Sequence, residues 1–590
     1  MHSDIGRTVA CAMALTAGAA AAGTIITLDL ATVLPETGAL TRIHADPRNF
    51  GNFGVPVAGP YDCDGDGFQD SALAVIRLSL PGRLACGGVS LVFGDGTIGG
   101  VIDTGQFPSN VLSIAGDAVA ETCGNEIWMD DVTGDGTGDL LICRQNYTLP
   151  GRIGCGALTI LPGGPWLRSL AASGEVIDLR TPPPLLPLVT FTGVAETDRL
   201  GIWVRTGDVD GDGVADILVG ADQADESPAL PNRGEAWLIR GGSHLFGTFT
   251  VDLADFGATA LEGHVVRILP PTAQPPLDGA DVGDHFGATC YILDLDGNGQ
   301  GEVLVSSTIS RASASIGAFG APAGSARSAG GTADGTVYIA WDTNFPATAW
   351  PDGWTFAIDQ ASEESVIDGG VNNRRFGEEL AGGDFDGDGI PDLFVADLNG
   401  NGTPGQTGRI NAGVGHVLYN APLLRNRVYD LDSPPGDIVR TDLLGATISA
   451  IAGDTMLFAD FDRDGIDDAG FGQPQDDPLN RFDAGTVTVL FGQPGGWGSF
   501  IDTAPASIAN SAVDRITVIQ GAEGGNGLLL GDILCYSASM GDMNGDGVPD
   551  LLINEMAGDS PVPMGEDVGN LIIIDGRELT GPARHGLFSE

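Results

Sequence analysis

The sequence predicts an all-β protein, a seven-bladed β-propeller made of four-stranded antiparallel blades. Three observations support this fold class. An acidic nine-residue loop occurs seven times in the 590 residues, and each copy runs into a short apolar segment typical of a strand. A second element, a short strand that ends in an apolar residue and Asp, also occurs seven times. No long segment has the 3.6-residue period of a helix, and radially repeated four-stranded units are typical of a propeller.

The acidic loop is clearest from Asp208 to Asp216, which reads DVDGDGVAD. Carboxylates occupy positions 1, 3, 5 and 9, and Gly213 at position 6 allows a sharp turn. Oxygen ligands at this spacing suit a hard cation, and Ca²⁺ takes six to eight oxygens in flexible geometry. Position 12 is Val219, in an apolar run, whereas an EF-hand has Glu there. The loop therefore joins two strands and is not an EF-hand.

We expect up to seven Ca²⁺ ions, held in calcium hairpins near residues 62–70, 131–139, 208–216, 294–302, 384–392, 460–468 and 542–550. The expected side-chain ligands at positions 1, 3, 5 and 9 are Asp62, Asp64, Asp66, Asp70, Asp131, Thr133, Asp135, Asp139, Asp208, Asp210, Asp212, Asp216, Asp294, Asp296, Asn298, Glu302, Asp384, Asp386, Asp388, Asp392, Asp460, Asp462, Asp464, Asp468, Asp542, Asn544, Asp546 and Asp550. The expected carbonyl ligands at position 7 are those of Phe68, Thr137, Val214, Gln300, Ile390, Ile466 and Val548.

Three loops carry fewer charges than the others. Thr133, Asn298 and Asn544 replace a carboxylate, so loops two, four and seven should bind the ion more weakly. Without an ion the clustered carboxylates repel one another, so binding should be coupled to loop order. A closed cage of oxygens leaves little open coordination. We therefore expect the ions to stabilise the blades rather than to catalyse a reaction.

Each unit is expected to contain strand a after an aromatic-Gly or Leu-Gly pair, then the acidic loop, strand b, strand c after a glycine, and the apolar-Asp element as strand d. Cys123-Gly124 replaces the pair in blade two, and Leu444-Gly445 and Leu530-Gly531 are the pairs expected for blades six and seven. The first apolar-Asp element precedes every acidic loop. Residues 23–30 should therefore be the outer strand of blade seven, beside 569–574, where they close the ring and cover a strand edge.

The N-terminus indicates an exported protein. Residues 1–22 read as a signal peptide, because Arg7 precedes the apolar run 9–15 and small residues extend to Ala22. Residues 23–590 would then form a single propeller domain. No later run is long enough to span a bilayer. The mature protein is expected to be extracellular or on the cell surface, with the periplasm as a further location. A net charge of −52 disfavours nucleic acid and anionic lipid as partners.

The spacing of the cysteines in the sequence does not determine which of them form disulfides. Seven of the eight cysteines would remain after the signal is removed. Disulfides between Cys63 and Cys86 and between Cys143 and Cys155 would each staple a hairpin. Cys290 and Cys535 lie on strand-like apolar stretches and are expected to be buried free thiols.

One resemblance follows from the loops. Phe376-Gly377 followed by residues 383–392, GDFDGDGIPD, resembles the FG-GAP repeat of integrin α-subunit heads and of many secreted bacterial proteins. The resemblance covers nearly the whole mature chain. It implies a seven-bladed propeller with Ca²⁺ in a–b loops on one face, and a role in cell adhesion. Acidic loops in all seven blades are more similar to the bacterial branch. Asp222 stands where the family has Pro, and blade two lacks the Phe-Gly pair.

No catalytic constellation is found in the sequence, since neither His-Glu-x-x-His nor Gly-x-Ser-x-Gly occurs. We therefore expect a non-enzymatic, monomeric module that binds an extracellular protein or glycan ligand. The long connections beside blade four, within 254–284 and 306–335, are the expected ligand surface. Two alternatives remain open. One is an extracellular polysaccharide lyase or hydrolase on the same scaffold, and the other is a purely structural surface protein.

Overall fold

The structure of the protein, a computed structural model, describes residues 24–32, 38, 40–44, 53–106, 108–174, 176–227, 231–258, 261–272, 284–310, 334–348, 350–370, 375–401, 409–508, 513–526, 530–559 and 568–580. These residues form seven five-stranded sheets, which are the blades of a β-propeller. The first strands of neighbouring sheets contact one another around the whole ring, including those of the seventh and first sheets. The predicted fold class is confirmed, but each blade has five strands instead of four.

The blades are numbered in the order of their acidic loops, and the strands of each blade are lettered a to e from the central channel outwards. Strands a are Phe53–Tyr61, Ile127–Asp130, Val204–Gly207, Phe286–Leu293, Phe376–Gly383, Met456–Ala459 and Leu534–Gly541. Strands b are Asp70–Val75, Asp139–Cys143, Asp216–Ala221, Glu302–Ser310, Asp392–Asp397, Asp468–Gln473 and Asp550–Glu555. Strands c are Gly88–Val92, Ala157–Leu161, Glu235–Ile239, Asp334–Ala340, Val414–Leu418, Thr486–Leu490 and Asn570–Ile574.

Strands d and e complete the sheets. Strands d are Val111–Ala115, Leu188–Thr192, Val265–Leu269, Glu364–Asp368, Arg440–Leu444, Arg515–Gln520 and Leu40–His44. Strands e are Ile177–Asp178, Thr248–Asp252, Trp354–Ala357, Val428–Asp430, Phe500–Asp502, Thr24–Asp29 and Gly100–Asp103. Strands a to d are antiparallel to their neighbours, whereas strand e runs parallel to strand d.

Strand e comes from the next blade along the chain. Ile177–Asp178 lies between strands c and d of blade two in sequence, but it pairs with Val111–Ala115 of blade one. The prediction that the apolar-Asp element is strand d was therefore wrong. The burial pattern gives the reason: in Thr248–Asp252 only Val251 is buried, as expected of an outer strand, whereas four of the five residues of Leu188–Thr192 are buried. The outermost strand of each blade is thus contributed by the next blade along the chain.

The N-terminal segment closes the ring, but not with the strand that the sequence predicted. Leu40–His44 pairs with Asn570–Ile574 and is strand d of blade seven. Thr24–Asp29, predicted to occupy that place, pairs in parallel with Arg515–Gln520 of blade six. The physical reason is the interlocked chain order, since the strand before strand d always crosses to the preceding blade. In Leu40–His44 four of five residues are buried, and the His44 ring lies 2.7 Å from Asn570 Oδ1.

Apolar side chains pack between neighbouring blades. Seven large clusters lie in the described part of the chain, and each joins two adjacent blades. The glycine before strand c permits this close packing. At Gly87, with φ +74°, a Cβ atom would lie 2.3 Å from the Cys123 carbonyl oxygen of blade two, and at Gly234 it would lie 2.0 Å from that of Phe286 in blade four. Any other residue there would push neighbouring blades apart.

The contacts made by the segment before strand c also identify which residue of the next blade occupies the place of the predicted aromatic residue of the aromatic-Gly pair. Cys123 holds that place in blade two, as predicted. In blade six it is Ala452, whose N–H donates to Ala412 O, and in blade seven it is Leu534, whose N–H donates to Ala484 O. The predicted pairs at Leu444 and Leu530 were therefore wrong. Leu444 lies on strand d of blade five, 16 residues before Asp460, whereas Ala452 lies eight residues before Asp460.

Helices are short in the described residues. The α-helices are Trp166–Ser173, Pro505–Ile508 and Gly576–Thr580. The 3₁₀ segments among the described residues are Thr104–Gln106, Ser243–Leu245, Leu253–Ala258, Asp342–Asn344, Ile358–Gln360, Ala421–Leu424 and Pro478–Asn480. None of the helices in the described part of the chain is long and apolar enough to cross a membrane.

The cysteines of the described chain are buried thiols. Cys63, Cys86, Cys123, Cys143, Cys155, Cys290 and Cys535 are all unpaired. The two predicted disulfides are therefore absent, and the prediction for Cys290 and Cys535 is confirmed. The thiols of Cys86 and Cys155 instead lie 3.3 and 3.5 Å from the carbonyl oxygens of Leu78 and Tyr147 in their b–c loops.

Candidate functional site

The seven acidic loops share one backbone geometry. The first carboxylate accepts hydrogen bonds from the loop: in loop one, Gly65 N lies 2.7 Å from Asp62 Oδ1 and Gly67 N lies 2.9 Å from Asp62 Oδ2. The glycine at position 6 has a positive φ in all seven loops, as the sequence predicts. The fifth side chain accepts from the N–H at position 7, as in the 2.9 Å bond from Phe68 N to Asp66 Oδ1. These bonds pre-form the turn that presents the carboxylates.

The ninth residue ties the loop to the blade. Asp70 is fully buried and accepts from Cys63 N at 2.8 Å and from Gly94 N, beyond strand c, at 2.9 Å. Burial raises the pKa of the equivalent carboxyls to about 7 in Asp70, Asp139, Asp216, Asp392 and Asp550, and to about 8 in Glu302 and Asp468. Burying an unpaired carboxylate is unfavourable, so each of these positions favours either a proton or a cation.

Neighbouring loops contact one another along one face of the ring. The N–H of Gly138 in loop two donates to Asp62 O in loop one at 2.8 Å, and that of Gly301 in loop four donates to Asp208 O in loop three at 2.7 Å. Asp467 N in loop six donates to Asp384 O in loop five at 2.9 Å. Within each of these three pairs, order in one loop is therefore coupled to order in the other.

Five loops bring acidic oxygens together. Within the described residues, the groups whose oxygens all lie within 4.8 Å of one another are Asp62, Asp64 and Asp66; Asp208, Asp210 and Asp212; Asp296, Glu302 and Asp342; Asp384, Asp386 and Asp392; and Asp460, Asp462 and Asp464. Loops two and seven, which carry Thr133 and Asn544, form no such acidic trio in that part of the chain. The metal ligands predicted for all seven loops remain predictions.

Loop four contains a residue that the sequence did not reveal. Asp342 follows strand c in a 3₁₀ segment and joins Asp296 and Glu302, although it lies 40 residues beyond the loop. Glu302 is fully buried, and its Oε1 has no hydrogen-bond partner among the described residues. The amide of Asn298 donates to Asp342 Oδ2 at 2.9 Å. Only the folded chain brings Asp342 to this loop, so no local sequence pattern could have identified it.

Arginines contact the outer oxygens of five loops. Arg240 Nε lies 2.6 Å from Asp210 Oδ2, and its Nη2 lies 3.0 Å from Asp212 Oδ2. The corresponding contacts are Arg168 with Asp64 and Asp66, Arg425 with Asp296 and Asp342, Arg515 with Asp462 and Asp464, and Arg577 with Asp546. Each arginine neutralises part of the carboxylate charge. In loop five, the Asn420 amide contacts Asp388 instead, at 3.2 Å.

The loop residues fit Ca²⁺. The donors are carboxylate, amide, hydroxyl and carbonyl oxygens, which are the ligands of a hard cation. The orphaned Glu302 Oε1 is a buried acceptor at the centre of one group, and a bound cation would satisfy it.

A channel runs through the middle of the ring and is lined by strands a of all seven blades. It encloses a cavity of about 620 Å³. Arg205 lies on its wall with its guanidinium 4.4 Å from the ring centroid of Trp128, 4.6 Å from that of Trp203 and 5.2 Å from that of Tyr291. Arg205 Nη1 also contacts Glu126 Oε1 at 2.5 Å. The opposite wall carries Tyr536, which is 40% exposed.

Two carboxyl groups of the channel have raised pKa values. Burial raises the pKa of Glu379 to about 8, although Arg205 and a 2.6 Å hydrogen bond from the Tyr291 hydroxyl oppose the shift. Burial raises the pKa of Asp454 to about 7, against the lowering effect of Arg375. No local sequence pattern indicates this group, because its members lie on different blades and share no motif.

Comparison with known proteins agrees with the fold. The model of the FG-GAP repeat matches residues 200–239, which span strand a, the acidic loop, strand b and strand c of blade three. The chain contains an FG-GAP repeat. Integrin alpha-PS2 of Drosophila melanogaster is 26% identical over 244 residues, which are 40% of this chain and 14% of the integrin. The chain thus matches only a small part of that relative's length.

Among solved structures, the V. cholerae biofilm matrix protein Bap1 is 10% identical to this chain. The comparison covers 90% of this chain and 88% of that chain, with a TM-score of 0.21. A TM-score this low supports no conclusion about fold or function.

Several predictions concern residues outside the described ranges. The signal peptide at 1–22 lies there, as does most of the ligand surface expected beside blade four, including residues 273–283 and 311–333. Both remain predictions.

Proposed function

We propose that the protein is a secreted, Ca²⁺-stabilised β-propeller that binds an extracellular protein or glycan ligand as an adhesion-type module. The observation that carries the proposal is the ring of similar acidic loops on a scaffold that contains an FG-GAP repeat. Similarity to an integrin α-subunit supports a ligand-binding role outside the cell. The predicted signal at residues 1–22 gives the export route. The proposed mature chain is a monomer that starts near residue 23.

The Ca²⁺ ions have a structural role in this proposal. Each ion would be held by the side chains at positions 1, 3, 5 and 9 and the carbonyl at position 7 of one loop, with Asp342 added in loop four. When bound, the ion neutralises the clustered carboxylates and joins the a–b turn to the end of strand c through the ninth residue. Because neighbouring loops are hydrogen-bonded, the ions together stiffen one face of the ring.

A glycan array and a panel of extracellular matrix proteins, each probed with and without EDTA, test the function. We expect Ca²⁺-dependent retention of at least one ligand with no change in that ligand. A size-exclusion profile with light scattering should give one chain per particle. If no ligand is retained in either condition, the protein is a structural surface component and the binding proposal is wrong.

A second candidate function is the cleavage of polysaccharides, and one observation favours it. Glu379 and Asp454 face the same channel, have pKa values of about 8 and 7, and lie close enough for the charge of Asp454 to affect Glu379. Raised carboxyl pKa values are typical of general acids. A reducing-end assay over a panel of polysaccharides decides between the two functions. Cleavage that is lost in Glu379→Gln would replace the binding proposal by an enzyme.

A further inference from the structure

We propose that the central channel is the ligand site of this propeller and that its ligand is a short, neutral oligosaccharide. The inference deepens the proposed ligand-binding function and rests on it. It differs from the sequence-based expectation, which placed the ligand on the connections beside blade four.

The first argument is the shape of the channel. Its cavity of about 620 Å³ falls within the range of roughly 300–1,000 Å³ typical of small-molecule sites. All seven blades contribute to its wall through their first strands, which contact one another around the whole ring. A site on strands keeps its geometry better than a site on loops. The channel therefore offers a rigid cavity with room for a short oligosaccharide.

The second argument is the chemistry of the wall. Aromatic rings line it at Trp128, Trp203, Tyr291 and Tyr536, and the apolar side chains of Met456 and Met540 lie between polar ones. The Tyr536 ring is 40% exposed, so one aromatic surface is free to contact a ligand. Apolar surface with a few placed polar groups is typical of sites that bind small polar organic molecules. Sugar rings combine apolar C–H faces with hydroxyl edges, and this wall matches both.

The third argument is charge, and it selects a neutral ligand. Around the channel each arginine faces a carboxylate: Arg205 contacts Glu126, and Arg375 lies 2.5 Å from Glu378 and 3.5 Å from Asp454. Glu379 accepts a hydrogen bond from the Tyr291 hydroxyl at 2.6 Å.

The chain as a whole carries a net charge of −52, yet Arg205 and Arg375 on the channel wall each contact a carboxylate, and Asp222 contacts Arg199. Burial raises the pKa of the remaining carboxyl groups, Glu379 and Asp454, to about 8 and about 7, which favours their uncharged forms. The neutralised carboxylates would attract a cationic ligand only weakly, and the paired arginines would attract a polyanionic ligand only weakly. Paired carboxylates and guanidinium groups still have free lone pairs and N–H groups. Hydroxyl groups both donate and accept, so they can use these groups without carrying a charge.

The experiment begins with an array of neutral and acidic di- to hexasaccharides, probed with the full mature chain in Ca²⁺ buffer. The tightest neutral oligosaccharide is then titrated by calorimetry into the wild type and three variants. Tyr536→Ala removes the exposed channel ring, and Glu379→Gln keeps the size of the side chain but changes its hydrogen bonding. Phe482→Ala is the matched control, because Phe482 is 60% exposed on the b–c loop of blade six, away from the channel lining. Melting curves with Ca²⁺ establish that all variants fold.

We expect a neutral oligosaccharide to bind, with an affinity at least about tenfold lower in Tyr536→Ala and Glu379→Gln and unchanged in Phe482→Ala. Equal affinity in all four proteins would overturn the channel site while leaving the ligand-binding function intact. Binding of acidic glycans alone would overturn the neutral ligand class. If no glycan on the array binds, the inference is wrong, and the function then depends on the protein panel alone.

Discussion

Arg83 and Asp178 form a two-pronged ion pair between consecutive blades. Arg83 Nη1 lies 2.7 Å from Asp178 Oδ1 and Nη2 lies 2.5 Å from Oδ2, while Nη1 also donates to Gly116 O. Arg83 is in the b–c loop of blade one, and Asp178 ends the strand that blade two lends to blade one. The same pair recurs as Arg152–Asp252, Arg409–Asp502 and Arg481–Asp29. In these four blades the Asp of the apolar-Asp element thus accepts hydrogen bonds from an arginine of the blade that its strand joins.

Removing this ion pair should lower stability. Arg83→Ala leaves Asp178 without its donor and frees strand e, so we expect a loss of about 1–2 kcal/mol in the free energy of unfolding. A double-mutant cycle with Asp178→Asn, measured by denaturant unfolding, isolates the pair. Arg427→Ala is the control, because Arg427 and Asp437 form an exposed pair with side chains 42% and 53% exposed. Equal losses in Arg83→Ala and Arg427→Ala would contradict this role of the ion pair.

Two truncations should separate the roles of the N-terminal strands. Removal of residues 23–32 deletes strand e of blade six and the Asp29 partner of Arg481, so we expect a melting temperature lower by several degrees. Removal of residues 23–44 also deletes strand d of blade seven and exposes the Asn570–Ile574 edge, so we expect an open ring that aggregates. Melting curves and size-exclusion chromatography provide the measurement. Similar behaviour of both truncations would argue against ring closure by Leu40–His44.

Arg240 should oppose Ca²⁺ binding while it stabilises the ion-free loop. Its guanidinium contacts Asp210 and Asp212, so Arg240→Gln removes a positive charge next to the expected ion. We expect the Ca²⁺ affinity of loop three, measured by titration, to rise by about three- to tenfold in this variant. The melting temperature in EDTA should fall. Arg427→Gln is the control, because Arg427 is paired with Asp437 outside the acidic loops, and it should change neither value. Weaker Ca²⁺ binding in Arg240→Gln would mean that the arginine supports the site instead.

The pH dependence of stability should contain a contribution from Glu379. Burial raises its pKa from 4.5 to about 8, so between these values the folded chain keeps a proton that the unfolded chain has lost. The contribution of Glu379 to stability is therefore greatest below about pH 4.5 and falls as the pH rises towards 8, by at most about 1.4 kcal/mol per pH unit.

Glu379→Gln removes that titration, so its stability relative to the wild type should rise between pH 5 and 8. Denaturant unfolding in excess Ca²⁺, with the exposed Glu196→Gln as control, measures the difference. Parallel pH profiles for the wild type and Glu379→Gln would show that Glu379 does not hold the proton.

The repeats made the architecture predictable, but not the way in which the strands interlock. Each acidic loop is a local pattern, so spacing alone located seven a–b hairpins and the number of blades. Pairing partners are not local. Asp178 and Val111–Ala115 are far apart in sequence, and nothing in the apolar-Asp element shows that it crosses to the preceding blade. The same reason explains the misplacement of Thr24–Asp29.

The candidate sites also differ in how well the sequence predicts them, because some are local in sequence and others are not. Asp62, Asp64 and Asp66 are neighbours in sequence and were predicted together, and the structure brings their oxygens together. Asp342 reaches loop four only through strands b and c, and Arg205, Tyr291 and Glu379 meet only because three blades converge on the channel. Sites made of one turn can be identified from sequence, whereas sites made by closing a ring require the fold.

Calcium stoichiometry is the most direct test of the central claim that the acidic loops are metal cages that stabilise the ring. The mature chain is freed of metal with EDTA, dialysed and titrated with Ca²⁺ by calorimetry, and bound metal is counted by elemental analysis. We expect more than three Ca²⁺ per chain and up to seven, with one fewer in Asp392→Asn, together with a large rise in melting temperature on binding. A stoichiometry of zero or one, or a melting temperature that does not respond to Ca²⁺, would contradict the account.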